Sequence, residues 1–287
     1  MQIAVVDIGS NSIRYMEAGS GPDGFGFSSK SVHTTRLAEG QGQDKKLTLP
    51  SMERSVSVLK DLARKSSDRG LPCYCYATSA VREASNRETF LEMVSSSTGL
   101  SIDVLSGKDE ARFAYEAAMA DGGGLIDIGG GSFQITTEED QISFPVGCVR
   151  IHDICPCQTL ASLNETVLPR LPDLSSVRLP KKDIWKAVGG TATTLGALSL
   201  GLDRYDPAAV SKAVFAESSL LELLDRLDRL GDQKRSENPL LIKRHDVILG
   251  GGFLLLYIMR SLHIASISTC DADGLEGYAV HILSSVK

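Results

Sequence analysis

The sequence predicts an α/β protein of two related domains, each a mixed β-sheet with flanking helices. Three observations carry that expectation. Apolar strand-like runs alternate with amphipathic segments along the whole chain. The stretch VVDIGSNS at 5–12 recurs as LIDIGGGS at 125–132, so that Asp7 and Asp127 hold matching places. Finally, 287 residues with 42% apolar content are enough for two ordinary cores and argue against wholesale disorder.

Taken in order, residues 2–7 read as a buried strand, SIRYMEAG as a second and residues 24–35 as a third, with Gly19 to Gly24 forming the hairpin between. RLAEGQGQDKKL reads as a mobile loop. A helix follows with Pro50 near its start, and Met52, Val56, Leu59, Leu62 and Ala63 share its apolar face. LPCYCYATSA is a strand running into a polar loop. Asn86 caps the helix RETFLEMVSSST, Ser101 to Leu105 form a short strand, and GKDEARFAYEAAMA is a helix with acidic residues at its start. The order β-β-β-α-β-α-β-α then begins again with GLIDIGGGS, FQITTEE and QISFPVG. A helix near 158–170, the strand IWKAVGG, the helix TATTLGALSLGL, a charged helix near 216–229, a helix near 246–262, the strand ASISTC and a final helix near 274–284 complete the chain. The glycine cluster at Asp121–Gly124 sets a boundary. It divides an N-terminal domain, 1–120, from a C-terminal domain, 121–287, with the alternative that the final helix packs back on the first. Each domain then contributes one glycine loop to a shared cleft.

The formal net charge is −6 and the pI about 5.5, a poor match to general nucleic-acid binding, which depends on basic surface. Six cysteines form no C-x-x-C pair and five histidines are scattered, so free thiols in a reducing cytoplasm are expected rather than a zinc site. No apolar run reaches 18 residues and no basic region precedes the first one, which predicts a cytoplasmic protein without membrane or nucleic-acid partners.

Four stretches point to phosphate chemistry. Glycine lets backbone N–H groups converge on one anion, so Gly9 and Gly129–Gly131, with Ser10, Asn11, Ser12 and Ser132 adding polar donors, can cradle phosphates. Asp7 and Asp127 end their strands where a carboxylate can meet a divalent cation. Two hairpins with glycine turns are the alternative; it suits one loop better than a repeated pair. Gly189 and Gly190 open a helix, a natural anion site, whereas ILGGGFLLLYIM is equally explained by close helix packing. Thr78, Ser79 and Arg82 are typical phosphate contacts; Arg82 is equally a solvated helix residue, and Arg36 is a weaker case. Asp109 and Glu110 favour a helix start through the dipole, and Glu110 is also a candidate general base toward water.

With VVDIGSNSIRYMEAG, TRLAEG, YATSAVREASNRETF, LSGKDEARFAY, LIDIGGGSFQI, VGCVRI and VGGTATTLGAL in order, the chain resembles the exopolyphosphatase / guanosine pentaphosphate phosphohydrolase (Ppx/GppA) family. That family belongs to the acetate and sugar kinase/Hsc70/actin superfamily. The resemblance spans nearly the whole chain and implies two actin-like (ribonuclease H-like) domains. It implies a Mg²⁺- or Mn²⁺-dependent hydrolase that releases terminal phosphate from polyphosphate or from pppGpp, acting alone or as a homodimer. Glu110 matches the family's base, Asp127 and Asp7 acids at the metal and phosphate site, and Arg82 a basic residue there. Two positions depart from the pattern. Gln134 stands where the family has a glutamate near the metal, and DGLEGY lacks the arginine of a Leu-Arg-Glu-Gly motif. A neutral Gln134 leaves open a sensor that binds phosphate and hydrolyses slowly. A small-molecule kinase fits less well, because SGKDEAR has no place assigned in one.

Overall fold

The computed structural model describes residues 1–22, 24–41 and 44–285. It divides into two compact units, one of residues 1–117 with 274–287, the other of residues 118–273. No helix among the described residues is long and apolar enough to cross a membrane.

In the first unit, β1 (Gln2–Ile8) and β2 (Ser12–Gly21) form an antiparallel hairpin. The expected single strand over 24–35 is two short ones, β3 (Gly24–Phe27) and β4 (Ser31–Thr34), which pair with different parts of β2. Asp23, in the turn expected between β2 and β3, lies outside the described residues. Next come α1 (Leu49–Asp68), capped by the Thr48 hydroxyl, then β5 (Cys73–Ala77), α2 (Ser79–Arg82), α3 (Arg87–Thr98), β6 (Ile102–Val104) and α4 (Gly107–Ala118). The sheet runs β3-β2-β1-β5-β6, with β4 beside β2. β1, β5 and β6 are parallel, as the long crossovers between them require. The last helix of the chain, α11 (Gly274–Ser285), belongs to this unit and buries Leu275, Tyr278 and Ala279 against Ile3, Val5, Tyr76 and Phe113. Its first-turn Glu276 is matched by Lys30 at 2.8 Å.

Two local expectations give way to tertiary contacts. Asn86 makes no side-chain cap on α3; its amide brackets Leu47 instead, accepting from the backbone N–H at 2.9 Å and donating to the carbonyl at 3.0 Å. The segment after Arg36, read as mobile, is tied down where it is described: Leu37, Ala38 and Leu47 are buried, and Gln41 Nε2 donates to Ala80 O at 2.9 Å. Gly42 and Gln43 of that segment lie outside the described residues.

The second unit repeats the opening: β7 (Gly124–Ile128), β8 (Phe133–Thr136) and β9 (Gln141–Phe144) form an antiparallel meander. A helix absent from the expectation follows, α5 (Cys148–Ile154). The helix expected over 158–170 is α6 (Leu160–Thr166), ending before a short 3₁₀ turn that contains Pro169. Then come β10 (Trp185–Val188), α7 (Gly189–Ser199), α8 (Pro207–Val210), β11 (Val214–Ala216), α9 (Glu217–Glu237), α10 (Ile248–Ser261) and β12 (Ser266–Thr269). The sheet runs β11-β12-β10-β7-β8-β9, with β7, β10 and β12 parallel. Its core joins Ile126, Phe133 and Ile135 to Leu195, Leu224 and Leu254 of the helices. In α10 the three glycines lie against Ile151, Thr191 and Leu224, so that stretch packs helices.

Candidate active site

Within the first unit, Ile8 sits beside Ala77 and Ala77 beside Val104, so the carboxyl ends of β1, β5 and β6 share one edge. Connections leaving the carboxyl ends of parallel strands are where α/β sheets bind ligands. Here those connections carry Gly9–Ser12, Thr78–Arg82 and Leu105–Glu110.

The first loop is closed by Gly9 N–H donating to Ser12 O at 3.1 Å. Its outer carbonyls are held from behind: Ser10 O accepts from Ala38 N at 3.0 Å, and Asn11 O from Thr35 and Arg36 N at 3.2 and 2.9 Å. Among the described residues every peptide is trans. In a planar trans peptide N–H and C=O point oppositely, so the Asn11 and Ser12 N–H groups face away from that support. The Ser10 and Ser79 hydroxyls, both buried, bond each other at 3.1 Å and pin the loop to the start of α2. Thr78 N–H donates to Ile8 O at 3.3 Å, which holds the second connection beside the first.

Asp7 is 4% exposed and carries an ion pair: Arg14 Nε donates to its Oδ2 at 2.8 Å, with Nη2 on the same oxygen. The two stand opposite each other in the β1–β2 register. Arg82 Nη1 donates to Leu105 O at 2.9 Å and also to Glu110 Oε2. The expected base and the expected phosphate-binding arginine are therefore one ion pair, partly open to solvent at 12% and 22% exposure. Glu110 lies in the first turn of α4. Beside it, the Ser106 hydroxyl on Asp109, helped by Arg112, holds that carboxyl below its ordinary range.

In the second unit, Asp127 sits beside Val188, and Ala187 beside Thr269, which aligns the ends of β7, β10 and β12. Gly129 N–H closes its loop on Ser132 O at 2.9 Å. The support comes from α5: Gly129 O accepts from Cys148 N at 3.1 Å, and Gly130 O from Val149 N at 2.9 Å. The N–H groups of Gly130 and Gly131 point the other way. This approach needs Gly147 at the start of α5, because a Cβ there would run into the Gly129 and Gly130 carbonyls.

Gly189 has φ +84, and a Cβ on it would stand 2.7 Å from Asp127 Oδ1. Only glycine lets α7 begin this close to the aspartate. The N-cap residue of α7, Val188, has no side chain able to cap the helix. The Arg244 guanidinium lies where a side chain on Gly190 would be. Arg244 brings a cation to the α7 N-terminus, and sequence reasoning missed it. It sits in an irregular stretch 54 residues after Gly190, with no local pattern to mark it.

Gln134 is 3% exposed and stands opposite Asp127 in the β7–β8 register. Its Nε2 donates to Ser132 Oγ and to Ser143 Oγ, both at 3.0 Å. Among the described residues no three His, Cys, Asp or Glu side chains gather as a metal-holding group.

The Ppx/GppA phosphatase family model matches residues 19–286. Exopolyphosphatase 2 of Mycobacterium tuberculosis is 29% identical over 98% of this chain and 98% of its own. The guanosine-5'-triphosphate,3'-diphosphate pyrophosphatase of Vibrio cholerae is 24% identical over 99% of this chain and 60% of its own. A crystal structure of the Aquifex aeolicus member of the Ppx/GppA family aligns with TM-score 0.79 at 26% identity, covering 100% of this chain and 99% of that one. A Cytophaga hutchinsonii exopolyphosphatase structure aligns with TM-score 0.85 at 20% identity over 100% and 99%. The fold is the two-domain actin-like fold of those structures.

Proposed function

Because the chain belongs to the Ppx/GppA phosphatase family and is a hydrolase acting on acid anhydrides, we propose that it releases terminal orthophosphate from inorganic polyphosphate. The observation that carries this reading is the Arg82–Glu110 pair beside the Gly9–Ser12 loop. Glu110 takes a proton from the attacking water. In the resting pair Arg82 is bonded to the carboxylate. An incoming phosphate competes for Arg82, and the Glu110 oxygen is then released to accept the proton. The N–H groups of Asn11 and Ser12 donate to phosphate oxygens whose charge grows in the transition state. In the second unit the N–H groups of Gly130 and Gly131, the α7 N-terminus and Arg244 offer donors and positive potential to phosphates.

The residues present suit Mg²⁺ or Mn²⁺ in one way. Asp7 is already neutralised by Arg14, and Gln134 commits its amide nitrogen to two hydroxyls. Asp127, at the end of β7 beside the start of α7, is the other carboxylate of the expected set, and Mg²⁺ commonly takes one or two protein carboxylates with phosphate oxygens and water. When bound there, the ion would supply charge against the phosphate oxygens.

The test is phosphate release from polyphosphate and from pppGpp by wild type and Glu110→Gln. Release from polyphosphate that Glu110→Gln abolishes supports the proposal; full activity in that variant removes Glu110 as base. A higher kcat/KM on pppGpp would make that the substrate. A second reading rests on Gln134, whose buried neutral amide withholds a metal ligand. In it the protein binds polyphosphate and hydrolyses slowly, and Gln134→Glu raises turnover.

A further inference from the structure

Arg235 is the largest fully buried side chain described, at 2% exposure. A buried guanidinium has a large desolvation penalty unless its donors are used. Its partners show what it is for. α9 breaks at Gly231, which has φ 70 and ψ 165. The break puts Leu227 in a last helical turn, where carbonyls lack the donors a continuing helix supplies. Arg235 Nη1 donates to Leu227 O at 2.9 Å, and Nε donates to His245 O at 3.1 Å. Asp232 closes the group from the solvent side, with Oδ1 at 3.6 Å from Arg235 Nη2 and at 2.8 Å from His245 Nδ1. Burial raises the Asp232 carboxyl, but the His245 hydrogen bond and the charges of His245 and Arg235 outweigh it and hold the carboxyl below its ordinary range.

Both bonds to His245, one to its carbonyl and one to its ring, fasten the residue next to Arg244. The short turn there has little other regular structure: Arg244 N–H donates to Leu241 O at 2.8 Å, and Arg244 O accepts from Ile248 N at 2.9 Å. From this turn the Arg244 guanidinium reaches Gly190 at the start of α7.

We propose that Arg235, with Asp232, is a positioning residue for Arg244: it locks the 241–247 turn to the α9 break, so that Arg244 is held at the α7 N-terminus before a polyphosphate arrives. This rests on the phosphate reading of that terminus. Pre-organisation of this kind spares the ordering of a long side chain on binding.

The test uses the full chain, with inorganic tripolyphosphate as probe. Binding is measured for wild type, Arg235→Lys, Asp232→Asn, Arg244→Ala and the Arg235→Lys/Arg244→Ala double variant. The Nε–Hε NMR signal of Arg244, assigned through Arg244→Lys, reports its order. In Arg235→Lys the Arg244 signal broadens or moves to the free-solvent position, and binding weakens about tenfold, as for outer partners of other sites. The double variant binds no worse than Arg244→Ala alone, because the effect of Arg235 passes through Arg244. Asp232→Asn, whose side chain is 57% exposed, keeps the fold if Arg235→Lys does not, and weakens binding roughly threefold with the same movement of the Arg244 signal. An unchanged Arg244 signal in the folded variants overturns the proposal, as do fully additive losses in the double variant. Loss of Arg244 order together with no tripolyphosphate binding by wild type would uphold the positioning and refute the polyphosphate reading instead.

Discussion

The two Asp-Gly loops share a backbone and differ in charge. Each is closed by its first glycine N–H on the carbonyl of the serine three residues later, at 3.1 and 2.9 Å. Each places its aspartate opposite the residue seven positions on. In the first unit that residue is Arg14, which neutralises Asp7 inside the sheet. In the second it is Gln134, which leaves Asp127 facing a neutral amide and turns its own N–H₂ to two serine hydroxyls. The supports differ as well, a loop at 35–38 for one and the N-terminus of α5 for the other. The first unit thus keeps its charges balanced in pairs, Asp7 with Arg14 and Glu110 with Arg82. The second brings Asp127, the glycine start of α7 and the Arg244 guanidinium from a distant segment together at one sheet edge. On the proposed function, the duplicated backbone is divided between proton transfer in one unit and phosphate binding in the other.

The hardest break in that division is Glu110→Gln. A glutamine keeps the shape and a hydrogen bond from Arg82 but takes no proton. General-base catalysis contributes on the order of 10²- to 10⁴-fold, so kcat for phosphate release should fall by that factor while KM moves little. A loss below about tenfold would show that the first unit does not hold the proton chemistry.

Next in size is Arg14→Gln, which gives the first loop the neutral cross-strand partner of the second. Removing one member of a buried ion pair leaves the other uncompensated and costs about 3–5 kcal/mol. The urea midpoint should drop accordingly at neutral pH. A change under about 1 kcal/mol would mean Asp7 is not the buried charge its 4% exposure implies.

Much of this contrast was legible in the sequence, because it rests on the repeat and on local rules. The loops, the strand-end aspartates and the glycine start of α7 are marked by residue type and spacing. Even the Asp7–Arg14 and Asp127–Gln134 oppositions follow from hairpin register once each turn is centred between residues 10 and 11, or 130 and 131. What stayed hidden depends on contacts distant in sequence. Asn86 has the right type for a helix cap, yet its amide is taken by Leu47, 39 residues earlier. The polar, glycine-rich stretch after Arg36 reads as mobile because nothing local shows Leu37 and Leu47 reaching the core. α5 is only seven residues long, too short for a periodic signal, and is stabilised by the Gly129 and Gly130 carbonyls it caps. Arg244 is aimed by a turn fixed from α9.

Gln134→Glu sharpens the comparison from the other side. It puts a carboxylate, at a position 3% exposed, directly across from Asp127. Like charges opposite each other on an antiparallel pair repel, while the Ser132 and Ser143 hydroxyls can turn to donate to the new oxygens. The net cost without metal should be about 1–2 kcal/mol. Millimolar Mg²⁺ should return most of it, and the Mg²⁺ dependence of phosphate release should steepen. Thermal unfolding with and without Mg²⁺ checks this, and a variant as stable as wild type without Mg²⁺ would show that the Asp127 charge does not act on position 134.

The smallest expected effect concerns the start of α4, which sets where Glu110 stands. The Ser106 hydroxyl accepts from Asp109 N–H at 3.1 Å and donates to the Asp109 carboxylate at 2.7 Å. Ser106→Ala removes both bonds and should cost about 1 kcal/mol, the usual value of a helix cap. The Asp109 part of that cost depends on pH. Its carboxyl is held below the ordinary value in the folded state, chiefly by Ser106. A depressed folded value stabilises above the unfolded pKa, near 4, and that stabilisation is lost as pH falls through the folded value. Because Asp109 is largely exposed, solvent screens it and the term is a fraction of the whole. Unfolding followed from pH 7 to below roughly pH 4 should therefore show the Ser106→Ala gap shrinking toward the plain loss of the cap. A gap that stays constant with pH would leave the capping bond to the Asp109 N–H as the whole of what Ser106 does.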